Sequence, residues 1–271
     1  MVLAYRITLP DRLQHRSFAS QRGSLPLGTY ELSPKSRSKV KSCLRAIDLL
    51  GIDRADLLRR YRDHCFRTSA IAKDELFGAI LDGGIKPDQQ AFLARVCNLP
   101  YHRDARSSVE YGVDLALGWM LEDCVAHRLK SYRAVIALTG HDREREYLLA
   151  KEISQEPDLR VTWRGKVRRV EVMCDWLDTW LKQDHLDLRD SKFTRLRSEN
   201  TILLGVAPLS ANGLALETGS GSNAFQFNPS IPGYGGKPGY TAHGVSSCLV
   251  PVAEAIQSLL HAVANGLESK G

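Results

Sequence analysis

The sequence predicts an α/β protein, with a mixed central β-sheet flanked by helices and a helical subdomain on the N-terminal side. Beyond Arg106, segments with helical apolar spacing alternate with short strand-like runs in the order helix, strand, helix, hairpin, helix, strand. Residues 36–106 keep helical spacing throughout, and 43% hydrophobic residues in a chain of 271 are ample for a buried core. The expected division is a strand and loop segment over 1–35, a helical subdomain over 36–106 and an α/β core over 107–271.

The elements follow in chain order. Pro10, Pro26 and Pro34 break residues 1–35 into short pieces. Val40, Cys43, Leu44 and Ile47 recur at three and four, Asp53 caps a second helix through Leu57, Leu58 and Tyr61, residues 71–81 form a third, and Pro87-Asp88 opens a fourth ending near Cys97. Ser107 and Glu110 make a capping box for a core helix reaching about Lys130, with Val113, Leu117, Met120, Leu121, Cys124 and Val125 as its apolar stripe. Asp114, Gly118 and Glu122 occupy another row at i+4 spacing, which lets Glu122 look toward the end of a neighbouring sheet. Residues 133–139 read as a strand of the buried kind, and Asp142 caps a helix to about Ile153. Pro157 stops that helix and begins a hairpin that turns on Arg164-Gly165. Short helices over 176–181 and 192–198 precede a buried strand over 201–207. Residues 208–243, rich in Gly, Ser, Asn and Pro, read as a long loop. It is not a Walker loop, because Ser230 stands where the first Gly is needed and Pro238 replaces the Ser or Thr. Pro251 opens a last helix bearing Val252, Ile256, Leu259 and Leu260.

Thirty-seven Lys and Arg against 31 Asp and Glu give a net charge of +6, which favours a polyanionic partner, nucleic acid first. Six cysteines without a CxxC pair point to free thiols in a reducing cytoplasm rather than a structural zinc. No apolar run approaches the roughly 20 residues of a membrane span, so a soluble protein is expected. Lys237, Tyr234 and Tyr240 would suit phosphates and bases.

The hairpin carries the sharpest chemical signal. With a two-residue turn Trp163 pairs with Lys166, which sets Asp158 opposite Glu171 on one face, together with Arg160 and Arg169. Two facing carboxylates require a cation, a basic partner or room to diverge. A divalent ion that prefers hard oxygen ligands answers the requirement most directly.

Pro157-Asp158, the basic hairpin and Val170-Glu171-Val172-Met173 resemble the PD-(D/E)XK nuclease superfamily, and look most like its type II restriction endonucleases. The order upstream acid-bearing helix, strand, helix, carboxylate hairpin, then Leu188-Arg189-Asp190-Ser191-Lys192 ahead of a buried strand is also similar, over roughly residues 107–207. One departure stands out. Met173 occupies the position of the family lysine, and Lys192 is the expected stand-in, since Lys166 falls on the opposite hairpin face. The resemblance implies a restriction-endonuclease-like core, a Mg²⁺-dependent site-specific cleavage of double-stranded DNA, and a homodimer acting on palindromic sites. It implies metal binding by Asp158 and Glu171 with Glu122, and catalysis by these two acids with Lys192. Arg160, Arg168, Arg169, Arg189, Arg195, Arg197, Asn200 and Lys237 are the expected DNA contacts. Two alternatives stay open: a non-catalytic DNA-binding protein on a nuclease-like scaffold, and a helical ribonuclease using Arg59 and His64.

Overall fold

A computed structural model describes residues 33–57, 108–140, 156–219 and 224–265. The expected helices over 58–97 and 142–153, with Arg59 and His64, lie outside the described residues. Ser33 caps α1 (Pro34–Leu49) by accepting the Ser36 N–H at 3.2 Å, and Pro34 opens the helix with its φ already suited. Asp53 Oδ1 accepts the Asp56 N–H at 2.8 Å, as expected of the cap of a second helix. The core helix is α2 (Ser108–Ser131), which buries Leu117, Met120, Leu121, Cys124 and Val125.

The main sheet has six strands, ordered β1 (Val135–Leu138), β2 (Leu159–Trp163), β3 (Lys166–Cys174), β5 (Ile202–Ala207), β6 (Asn212–Glu217) and β9 (Val250–Pro251). Only β3 and β5 run parallel, so the sheet is mixed as expected. The helix α3 (Thr179–Gln183), the strand β4 (His185–Arg189) and α4 (Asp190–Ser198) make the crossover between β3 and β5. A second sheet joins β4 to β8 (Lys237–His243) and β8 to β7 (Phe225–Ile231). The last described helix, α5 (Val252–Asn265), starts directly after Pro251.

The two faces of the main sheet bury different cores. Leu159, Val161, Val170, Ile202, Leu204 and Val206 point to the first, which α1, α2 and α5 complete. Leu203, Ala207 and Leu214 point to the second, with Trp180, Leu186, Leu188, Phe193 and Leu196 above them. Alternation along the strands produces both sets, because successive side chains leave opposite faces.

Three expectations are corrected here. β1 is an edge strand rather than a buried one: it pairs only with β2 among the described residues, and Val135 is 70% exposed. Residues 208–243 are not one long loop, since β6, β7 and β8 form there. Glycine and proline do not prevent this because Pro229 sits on a strand with a single neighbour, beside a register shift, where no ladder donor is missed. The helix after Asp175 begins at Thr179 rather than 176, since the Asp175 carboxylate accepts from Leu177 N, Thr179 Oγ1 and Trp180 N at 3.4, 2.8 and 2.6 Å and so organises the chain ahead of it. The helix α1 shares one hydrophobic core with α2, α5 and the sheet. A Lys39–Asp114 ion pair of 2.7 Å and a Ser42 hydroxyl donated to the Trp176 carbonyl tie it down further.

Candidate active site

The β2–β3 hairpin turns on Arg164 and Gly165 with φ of 50° and 77°, the pair of left-handed conformations of a type I′ turn. Its twist matches that of the strands and fixes the register: Trp163 faces Lys166 and Leu159 faces Val170. Asp158 immediately precedes β2, and Glu171 immediately follows Val170, the partner of Leu159. Asp158 is anchored on two sides. Its Oδ2 accepts the Val172 N–H at 2.8 Å, and its carbonyl accepts the Thr139 N–H at 2.9 Å, while the Thr139 hydroxyl donates to the Pro157 carbonyl. The first carboxylate is thereby bonded to the backbone immediately beside the residue carrying the second.

Glu171 is buried on β3, paired in register with Leu203 of β5. Its Oε1 lies 2.8 Å from Nζ of Lys192, which α4 projects from the other side of the crossover. Burial by itself would lower the Lys192 pKa, but the carboxylates of Glu171, Asp158 and Glu122 together outweigh it and raise the value. Three acids that the sequence singles out separately, at positions 122, 158 and 171, therefore act electrostatically on Lys192. Met173 follows two residues after Glu171 on the same face and contributes only a thioether there. Lys166 belongs to the opposite face of β3, as expected.

The predicted basic residues separate into groups. Arg160 is exposed, directly across from Arg169. Arg169 pairs with Glu199 at 3.1 Å, and Arg195 pairs with the same carboxylate. Glu199 was missed by the sequence reading, although its i+4 spacing from Arg195 is a recognisable signal. Arg197 is exposed on α4. Arg189 and Lys237 are exposed on the second sheet, Arg189 with its guanidinium 5.2 Å from the centre of the Tyr234 ring.

Arg168 and Asn200, also expected to contact DNA, meet each other through the Asn200 backbone. Arg168 is buried, and donates through Nε and Nη2 to the Asn200 carbonyl at 3.2 and 2.9 Å, with Glu217 3.7 Å away. It fastens β3 to the bend between α4 and β5, where Asn200 has a φ of 49°. Even-numbered β3 residues face the first core, so the parity that exposes one arginine inverts its neighbour.

No group of three or more His, Cys, Asp and Glu side chains able to hold a metal ion occurs among the described residues. The donor set nonetheless suits Mg²⁺, which keeps several waters and takes only one or two protein carboxylates, the remaining ligands coming from substrate phosphate. Asp158 and Glu171 are hard oxygen donors of that kind. No helix among the described residues is long and apolar enough to cross a membrane. Comparison of the chain with protein-family models gives no match, and comparison with curated proteins gives none either.

Proposed function

We propose that this protein is a Mg²⁺-dependent endonuclease that hydrolyses phosphodiester bonds of double-stranded DNA at specific sites, on a restriction-endonuclease-like core. The single observation that carries the reading is the 2.8 Å pair of Lys192 with buried Glu171, beside an Asp158 carboxylate bonded to the next residue of the same strand. A lysine kept charged against two acids is the combination that water attack on a phosphodiester needs where Met173 supplies no charge.

Asp158 and Glu171 would hold the ion, with Glu122 adding negative potential from α2. Bound Mg²⁺ supplies a polarised phosphate oxygen and a water of lowered pKa. Lys192 donates its protons toward the attacking water or the charge that grows on the phosphate oxygens, and so stabilises the transition state more than the ground state. Glu171 holds the ammonium in position for that role. Arg160 and Arg197, both exposed, attract the backbone phosphates and make binding fall steeply with salt. Arg189 is placed for base or phosphate contacts from the second sheet, and a homodimer would match a palindromic site.

Incubation of the full chain with plasmid DNA, with and without chelator, tests the reading. Discrete fragments that vanish with chelator are expected, and Asp158→Ala, Glu171→Ala and Lys192→Ala should each reduce the cleavage rate by at least about a hundredfold while DNA still binds. Band shifts without fragments would instead identify a binding protein on this scaffold.

A further inference from the structure

A cleft of about 240 Å³ opens beyond the acids, lined by Met173, Trp180, Gln183, His185, Asp187 and Tyr234 among others. Met173 connects it to the acidic site: it stands about 7 Å along the same strand face from Glu171. The opposite end is built on β4, which leads directly into α4 and Lys192.

The walls are fixed. Trp180 packs against Gly205, where an added Cβ would fall 2.6 Å from its ring, so the indole needs the glycine there. Asp187 is held by the Thr241 hydroxyl, donated at 2.7 Å to Oδ1, and by His185, whose Nε2 is 3.4 Å from Oδ2. The Tyr234 hydroxyl donates to the Asp187 carbonyl at 2.8 Å. His185 is oriented in turn by the Gln183 carbonyl, 2.9 Å from Nδ1.

This chemistry selects among ligands. The volume is below that of sites for drug-sized molecules, so a single ring system or nucleoside fits better than a longer ligand. Asp175 and Asp187 both line the cleft and repel a phosphate. A carboxylate and a primary amide are the groups that read exocyclic amino edges, the first on cytosine and the second on adenine, and aromatic and thioether walls suit the face of a base.

We infer that this cleft binds an amino-bearing nucleobase, cytosine or adenine, of a nucleotide unstacked next to the cleaved phosphate. The inference rests on the nuclease reading for its setting. Asp187 accepts the amino group, Gln183 adds a second contact, and Met173 packs on the ring. The methionine in the family lysine's position thus belongs to the substrate cleft.

The test uses the full chain labelled with carbon-13 at methionine methyls, in chelator, titrated with cytidine, adenosine and uridine. Met120, fully buried in the first core, serves as internal reference. Saturable shifts of the Met173 signal with cytidine or adenosine are expected, at least about tenfold weaker with uridine. Asp187→Asn and the exposed-site variant Gln183→Ala should each weaken them, with the Met120 signal unmoved. A silent Met173, an equal response to uridine, or full binding in both variants overturns the inference. Chelator-sensitive cleavage together with a silent Met173 removes the cleft alone; a responsive Met173 in a protein that cuts no DNA keeps a base-binding cleft and removes the nuclease reading.

Discussion

Lys192 keeps its proton against a burial effect that favours losing it, because three acids surround it. Since the folded-state pKa lies above the ordinary lysine value, the pair stabilises the fold fully below about pH 10.4, and that contribution disappears as pH rises through the raised value. Lys192→Ala should therefore cost on the order of 3–5 kcal/mol in urea unfolding at neutral pH, because Glu171 is left buried without its cation. The loss should shrink well above pH 10, and Glu171→Gln on the same background should recover part of it. Two arginines give a second contrast. Arg168→Ala should destabilise by about 2–3 kcal/mol through the freed Asn200 carbonyl, whereas Arg160→Ala should leave urea unfolding unchanged and weaken DNA binding in a filter assay. The sequence makes the acids legible because a two-residue turn fixes parity. It does not reveal which arginines face the core, since charge alone suggests exposure for all of them.

The hairpin is the element on which the site's geometry depends. Gly165 holds a φ of 77° with nothing within 4 Å of a would-be Cβ, so Gly165→Ala meets backbone strain alone and should cost about 1 kcal/mol, read by thermal unfolding. Gly239 differs in kind: a Cβ there would come within 2.3 Å of the Leu188 carbonyl, so Gly239→Ala should separate β8 from β4 and cost several times more. Elements such as α5, with a single apolar stripe, and β5, a continuous apolar run buried along its whole length, are readable in the residues because burial alone determines them. The strand β4 was also available from the alternation in His185-Leu186-Asp187-Leu188-Arg189, with the two leucines buried and the polar residues turned away. The strands β7 and β8 were not, because Gly, Pro and Ser mimic loop composition while long-range pairing decides the conformation.

At the scale of the whole molecule, one sheet supports two cores and the acids stand on the face that α4 covers. A sedimentation experiment with a palindromic DNA should show two copies per duplex if the proposed homodimer holds, and a single copy would remove that part of the reading. The α/β class could be anticipated because alternation of elements is local information. The second sheet and the sharing of the first core by α1 could not, since both arise from contacts between distant segments. The position of α5 has a further consequence. Val252, Ile256, Leu259, Leu260 and Val263 seal the reverse side of the strands that carry Asp158 and Glu171, contributing roughly 1.5–3 kcal/mol apiece. A nascent chain emerging from the ribosome would thus hold both acids on an unsealed sheet until translation has delivered that segment.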